Sequence, residues 1–448
     1  MRVLHLATTY PLHEADSSAA FVEALVEALC RRGHEMHVLL PDHSRLQLQR
    51  PHRRAVLHAF RTTPMKRWHP WGYAQALTAD RALRWDAYAA TPFAAASAVR
   101  ALRRILHRDP FDLVHAHWLL PAAPIVAAAL RGRNLPMVVS CHGSGVFLAE
   151  KRAWAAGAAR WGLRRAAALT ACSEDLARRV AAFGAGPQPQ WIPYGVDVER
   201  FRPHEPAARA AERRAFGERF GLSPEAPWVL AVGRLVYKKG FEHLVRAMAP
   251  VRCTVPAAQL VIAGDGPLRD ELLRAAAGSG VAEAVHLVGA VSHADLPALY
   301  AAADVVAVPS VHGPGGNVDG LPNVFLEGLA SGTAVVATRV GGIPDIGRDG
   351  DTVALVEEGD IEALGTTIGA LLRDDARRAA LGAAARADAL ARLDWDRVAA
   401  RFEQLYEAVC RRSGAGGPQG GGRGNPAGES GRDDLGTIAA RSERGAAR

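Results

Sequence analysis

The chain has 448 residues, room for two or three domains at about 100–200 residues each. Apolar residues make up 49% and charged residues 22%, a balance that buries a core and excludes disorder, collagen and coiled coil for the body of the chain. Lysine and arginine outnumber aspartate and glutamate by eight (54 against 46), which favours anionic partners: nucleic acid, phosphorylated metabolites or a membrane surface.

The first nine residues are too few and too charged for a signal peptide, and no apolar run reaches the roughly 18 residues of a spanning helix. Cys30, Cys141, Cys172, Cys253 and Cys410 form no CxxC pair and fit reduced thiols in a cytosol. Val3 to Thr8 reads as a strand and Pro11 to Ser18 as polar loop. Val22, Leu25, Val26 and Leu29 then recur on one face of a helix. Arg31-Arg32-Gly33 closes it, and Met36 to Leu40 completes a βαβ unit, hence a parallel sheet covered by helices.

After a long irregular stretch the pattern resumes, with strands at 112–117, 136–140 and 166–172 and helices at 122–130 and 174–182. The segment 184–206 reads as a proline-rich linker, followed by a charged helix at 207–220. From Trp228 a second series of strands runs at 229–232, 259–263, 285–288, 305–309 and 334–338. The expected architecture is α/β, two successive doubly wound units at 1–200 and 201–394. A last helix, 395–412, and a glycine-rich tail, 413–448, read as disordered, complete the chain.

Chemistry concentrates where strands end. Gly233-Arg234-Leu235-Val236-Tyr237-Lys238-Lys239-Gly240 lies between a strand and a helix, where glycine lets a ligand approach the backbone and amides point at an anion. Arg234 and Lys239 suit a diphosphate there, or are solvated charges on a surface turn. Asp319-Gly320-Leu321-Pro322 leads into the helix 323–330, whose first amides form an anion site. Glu327, one turn in, suits either a pair of vicinal ribose hydroxyls or the helix dipole alone. Gly264-Asp265-Gly266-Pro267 is best read as turn chemistry. Gly289 ends another strand, as a simple turn or as backbone facing a base. His142, after the strand 137–140 and before Gly143, sits where α/β sheets bind ligands. Cys141 has no orienting partner that would make it a nucleophile. His115 and His117 share one face of a strand; with no third ligand evident, packing is the expected role rather than metal binding.

Taken in order, Gly233-Arg234-Leu235, Lys239-Gly240, Gly264-Asp265-Gly266-Pro267, Pro309-Ser310 and Asp319-x7-Glu327 resemble the motifs of glycosyltransferase family 4, the group 1 glycosyltransferases. His115-Ala116-His117-Trp118, His142-Gly143 and Gly195-Val196-Asp197 with Phe201 are similar to that family's forms in the first half. The resemblance covers roughly residues 1–410 and implies a GT-B fold, two Rossmann-like domains facing a central cleft. It implies a retaining enzyme that needs neither metal nor cofactor. A UDP- or GDP-sugar donor would bind the second domain, and a glycan, lipid-linked or small-molecule acceptor the first.

In that scheme Arg234 and Lys239 neutralise the leaving diphosphate and Glu327 holds the ribose. Asp319, with the backbone of Gly320 and Leu321, holds the sugar, and the amide of Val324 faces phosphate. His142 contacts the sugar and stabilises its developing charge, while Gly233 and Gly289 flank the donor. Ser17 and Ser18, in the first loop, contact phosphate or acceptor. Two positions depart from the family's usual pattern: Asp319 stands where glutamate is more usual, and Asp16-Ser17-Ser18-Ala19-Ala20-Phe21 lacks the glycines many members carry. An epimerase or a phosphorylase on the same fold is the alternative, although no lysine motif for pyridoxal is apparent. A nucleic-acid-binding protein is supported only by charge and by no known module. The stretch 44–70 carries Arg45, Arg50, Arg53, Arg54, Arg61, Lys66 and Arg67 without an acid. Leu46, Leu48, Leu57, Phe60 and Trp68 interleave with them, and Trp71 follows. It is read as either a solvated loop or a contact for anionic membrane or a lipid-diphosphate acceptor. The expected location is cytoplasmic, peripheral on the inner membrane face.

Overall fold

The computed structural model describes residues 1–414, apart from 14, 15, 17, 51, 66–70, 74–76, 79–81, 84 and 314. The strands of the first half are β1 (Arg2–Leu6), β2 (Glu35–Pro41), β3 (Val56–Phe60), β4 (Leu77–Thr78), β5 (Ala82–Leu83), β6 (Leu113–His117), β7 (Met137–Cys141), β8 (Ala168–Ala171) and β9 (Pro189–Trp191). Seven of them form one parallel sheet in the order β3-β2-β1-β6-β7-β8-β9, while β4 and β5 pair antiparallel with each other. The second half contributes β10 (Trp228–Val232), β11 (Gln259–Ala263), β12 (Val285–Gly289), β13 (Val305–Val308), β14 (Ala334–Thr338) and β15 (Ala354–Val356). These form a six-stranded parallel sheet in the order β12-β11-β10-β13-β14-β15. Both are Rossmann-like sheets, and strand order reverses between β1 and β6 and again between β10 and β13. At such reversals the flanking connections leave on opposite faces, opening a crevice at the carboxyl edge.

Helices cover both faces, so the central strands read as continuous buried runs rather than alternations. Every residue of β6 is buried, including His115 and His117. The helix Ala20–Arg31 buries Val22, Leu25, Val26 and Leu29, as its spacing predicts. The last helix, Trp395–Arg412, buries Val398, Phe402, Leu405, Tyr406 and Val409. It packs on the helix Ala20–Arg31, with Arg31 bonded to Asp396 at 3.0 Å and His34 to Glu403 at 2.8 Å.

Several elements differ from the sequence expectation, among them β15 and the helices Ser144–Lys151 and Ala153–Arg164, which it did not include. The stretch after Leu40 is not irregular: it holds β3 and the helix Trp85–Arg108, of 24 residues. That helix turns small alanines inward over most of its length (Ala87, Ala90, Ala94, Ala98 and Ala101) and buries larger residues, Leu102, Ile105 and Leu106, only near its end, so its apolar stripe is regular in spacing but slight in bulk. The presumed linker contains β9, an edge strand whose first residue is Pro189, where a missing amide costs no ladder bond. The basic stretch 44–70 is only partly a surface. Arg50 is buried, its Nη1 2.6 Å from Glu23 Oε1, and Arg53 reaches the same carboxylate at 3.1 Å. Phe60 and Trp71 are buried as well, while Lys66, Arg67 and Trp68 lie outside the described residues, as does the tail from 415 on.

Candidate active site

In the second half, β10 ends at Val232 and the chain turns through Gly233 into the short 3-10 turn Tyr237–Lys239. Gly240 closes the turn at φ +65°, and a Cβ there would lie 1.7 Å from the Pro309 carbonyl oxygen. Only glycine lets the turn press onto the end of β13. That packing delivers two adjacent ammonium groups to one carboxylate: Lys238 Nζ is 3.0 Å from Asp319 Oδ1 and Lys239 Nζ 2.6 Å from Oδ2. Burial pushes the Asp319 carboxyl up, but Lys239 and Lys238 outweigh it and hold it well below the usual carboxylate range. Arg234 is exposed at the same strand end.

Asp319 opens the segment that enters the helix Asn323–Ala330, with Leu321 buried and Val324 half-buried. Glu327 accepts a hydrogen bond from the Tyr300 hydroxyl at 2.9 Å. Burial raises its pKa, and Tyr300, Arg200 and Lys239 oppose the rise without cancelling it. Gly289 ends β12 at the same edge, its carbonyl accepting from the Gly264 amide at 2.7 Å.

The first half faces this edge closely. A Cβ on Gly320 would meet Cys172 Sγ at 2.9 Å and the His142 carbonyl oxygen at 3.8 Å. The Glu174 amide donates to Asp345 Oδ2 at 2.7 Å across the same boundary. His142 stands at the end of β7 with both ring nitrogens engaged: Nε2 is 3.1 Å from His117 Nδ1, and Nδ1 is 3.0 Å from the Tyr194 hydroxyl. His117 Nε2 is in turn 3.0 Å from His5 Nδ1, whose Nε2 points at Met36 Sδ, 3.4 Å away. Burial drives His142 and His5 down to about 3, so both rings are neutral. Phe21 packs against His142 at 4.9 Å and stacks on Tyr194 at 4.3 Å, and Trp118 meets His142 edge-on at 5.0 Å.

Ahead of Phe21, the Asp16 carboxylate accepts from the amides of Leu12 (2.8 Å) and Ser18 (2.9 Å). The Ser18 amide is therefore spent on the loop itself; Ser17 lies outside the described residues. The third partner that His115 and His117 lacked in sequence is His5, which pairs in register with His115 across β1 and β6. Each ring nitrogen of the three already has a partner, His115 using Tyr406 and Ser140 at 2.7 Å each. Among the described residues the three rings are thus joined by hydrogen bonds to one another and to their neighbours.

Residues 18–200 match the family described as Glycosyltransferase Family 4, and residues 226–374 match Glycosyl transferases group 1. The GDP-mannose-dependent alpha-(1-6)-phosphatidylinositol monomannoside mannosyltransferase of Mycolicibacterium smegmatis is 39% identical over 314 residues, which cover 68% of this chain and 78% of that one. The chain belongs to glycosyltransferase family 4. A second relative, the GDP-mannose-dependent monoacylated alpha-(1-6)-phosphatidylinositol monomannoside mannosyltransferase of Corynebacterium glutamicum, is 31% identical, with 73% of this chain and 84% of that one covered. In fold, this glycosyltransferase resembles sucrose-phosphate synthase from Thermosynechococcus elongatus, with a TM-score of 0.73 at 23% identity over 92% of this chain and all of the other. It also resembles HepE of Anabaena in complex with UDP, with a TM-score of 0.70 at 20% identity over 91% of this chain and all of the other. At that identity the likeness is one of fold, and the fold is GT-B.

The sequence singled out Lys239, Asp319, Glu327 and His142, but not the side chains that contact them here, Lys238, Tyr300 and Tyr194. Tyr300 and Tyr194 carried no local signal, since each comes from a separate element.

Proposed function

We propose that this glycosyltransferase moves mannose from GDP-mannose to a hydroxyl of a phosphatidylinositol-mannoside-like acceptor, with retention of configuration and without a metal. The observation that carries the reading is the convergence of Lys238 and Lys239 on Asp319 at the end of β10, across from His142. Two ammonium groups at one strand end are suited to the charge that builds on a leaving diphosphate, a role in which fixed cations matter most at the transition state. Arg234 joins them from the rim. Glu327, held by Tyr300, takes the ribose hydroxyls, and the amide of Val324 faces phosphate.

As the bond between the mannosyl C1 and the phosphate oxygen breaks, GDP departs and the acceptor oxygen bonds to C1 on the same face. The acceptor's proton passes to the departing phosphate oxygen, so no enzymic base is required. Asp319, with Gly320 and Leu321, holds the sugar hydroxyls. Both His142 nitrogens are committed inward, so the residue acts on the sugar through its carbonyl oxygen and ring edge. The relatives' donor and acceptor support the choice of GDP-mannose and of a glycolipid. Calorimetric titration with GDP, UDP and ADP tests it. The reading expects GDP to bind at least about tenfold more tightly than the other two, roughly 1.4 kcal/mol. Preference for UDP would overturn the donor assignment.

A further inference from the structure

The cleft uses the carboxyl edge of the second sheet. At the opposite, amino edge Pro227 leads into β10 and Asp304 into β13. There a cavity of about 350 Å³ opens between the helix Pro206–Phe220, the loop 224–227 and the junction of the helices Ile361–Arg373 and Asp375–Asp388. That volume suits a small metabolite. Four arginines line it: Arg209, Arg213 and Arg214 from the first helix and Arg378 from the last.

Part of this basicity is structural. Arg213 is buried, donates to the Ala302 carbonyl oxygen at 2.6 Å and to Asp304 Oδ2 at 3.0 Å, and lies over the Trp228 ring. Arg209 donates from Nη2 to Asp304 Oδ1 at 2.6 Å and from Nε to the Ala301 carbonyl oxygen at 3.0 Å. The Trp228 amide also donates to Asp304 Oδ2, at 2.8 Å. Both carboxylate oxygens are thus engaged, and Asp304 fixes two guanidinium planes at the cavity.

Packing leaves donors over. Among the described residues, exposed Arg214 makes no hydrogen bond or ion pair, and Arg209 Nη1 has no partner. Arg378 spends Nη2 on Asp375 at 2.7 Å, a carboxylate that is 87% exposed and screened by water. Glu225, the other acid of the lining, is exposed as well. Planar guanidinium forks with unspent N–H groups match phosphate oxygens, which they bind two at a time. Ala210, Pro227 and Leu372 offer the remaining wall to a larger, less polar body.

We infer that this cavity is a second binding site, for a small phosphorylated metabolite, and that its occupancy reads onto the donor site. The carbonyls that Arg209 and Arg213 hold, those of Ala301 and Ala302, end the helix Leu296–Ala302. Tyr300, in the same turn, donates its hydroxyl to Glu327 at 2.9 Å. A phosphate on Arg209 competes with those carbonyls for the guanidinium, loosens the helix end and slackens the hold of Tyr300 on Glu327. Anion and nucleotide therefore oppose each other, each weakening the other by the same factor. The coupling crosses a single helix turn with named contacts at both ends. It is independent of which nucleotide or acceptor the enzyme uses.

The full-length protein is titrated calorimetrically with mannose 6-phosphate, with mannose and inorganic phosphate as controls, and GDP affinity is measured with and without each. The parent is expected to bind mannose 6-phosphate more tightly than inorganic phosphate, to ignore mannose, and to lose GDP affinity about fivefold at saturating sugar phosphate. Arg214→Glu is expected to weaken the sugar phosphate about tenfold or more. Its GDP affinity without anion stays at the parent's, because Arg214 lies at the opposite edge from the cleft. Tyr300→Phe is expected to bind the sugar phosphate like the parent and to lose the fivefold response of GDP. Absence of sugar-phosphate binding in the parent would overturn the inference, as would GDP affinity indifferent to the anion. Competition that survives Arg214→Glu undiminished would place the anion in the donor cleft and overturn it too. Where GDP itself fails to bind, UDP takes its place, so failure of the GDP assignment leaves this test intact.

Discussion

His142 and His117 meet nitrogen to nitrogen at 3.1 Å, and Met36 decides which of them donates. A thioether sulfur only accepts, so His5 must carry its proton on Nε2. Neutral His5 then accepts at Nδ1 from His117 Nε2, and neutral His117 accepts at Nδ1 from His142 Nε2. His142 is left to accept at Nδ1 from the Tyr194 hydroxyl. One sulfur on β2 thus sets the tautomer of a ring at the cleft, three hydrogen bonds away. Long-range nitrogen–proton spectra of histidine-labelled protein are expected to show the Nε2–H form for all three residues. Met36→Leu, a volume-conserving change costing less than about 1.5 kcal/mol, removes the anchor and gives His5 a mixture of tautomers. An Nδ1–H form of His117 or His142 in the parent would contradict the chain.

The same burial makes stability depend on pH. His5 has a folded value of about 3 against 6.5 in the unfolded chain, so between these the unfolded state binds the extra proton. Stability is full above 6.5 and declines as pH falls toward 3. By linkage, His5 alone accounts for about 2 kcal/mol of loss between pH 7 and pH 5. His115, His117 and His142 are shifted in the same direction. Urea unfolding at the two pH values checks this; equal stability at both would contradict it.

Turnover tests the cations. Lys239→Ala and Arg234→Ala are each expected to lower kcat by about 10²–10³-fold with the fold intact, as loss of one transition-state charge partner does. Lys238→Ala is expected to behave likewise, since Lys238 shares Asp319 with Lys239. Rates near the parent's in all three, measured at saturating donor, would remove the diphosphate assignment.

The two carboxylates should separate by ligand. Glu327→Ala is expected to weaken free GDP binding by about 1–3 kcal/mol, the cost of a lost charged hydrogen-bond partner. Asp319→Ala is expected to leave free GDP binding close to the parent's and to weaken only the intact nucleotide sugar. Equal affinity of both variants for free GDP would contradict the role given to Glu327.

Arg50 tests the first half. Its guanidinium and the Glu23 carboxylate are both buried, and Arg50 also donates to the Pro11 carbonyl oxygen, which ties down the loop before Ser18. Arg50→Met leaves the buried Glu23 with Arg53 as its remaining partner at 3.1 Å and is expected to cost about 1–3 kcal/mol, largely recovered when Glu23→Leu is added. Denaturant midpoints of the three proteins measure it. An unchanged midpoint in the single variant would contradict the account of the pair.

Both sheets were legible in outline because parallel strands buried on both faces read as uninterrupted apolar runs, as in Val229 to Val232. The helix Trp85–Arg108 was illegible because it packs mostly through alanines, and β9 because it lies at an edge and starts with proline. At the site, Lys239, Asp319 and Glu327 were readable because they sit beside glycines and helix starts that have local signatures. Tyr194, Tyr300 and Met36 were not: each reaches the site from a different element, and only tertiary packing joins them. Arg50 shows the opposite error, since a run of arginines without acids hides that Glu23, 27 residues away, buries one of them.

The central claim is mannosyl transfer with retention at a site that relies on protein cations. Its most direct test is incubation with GDP-α-mannose and a phosphatidylinositol mannoside in the presence of a chelator, with the product's anomeric carbon read by NMR. The account predicts free GDP and one new α-mannosidic linkage on the lipid, formed at the same rate with and without chelator. A β-linkage, or transfer that stops when divalent ions are removed, would contradict it.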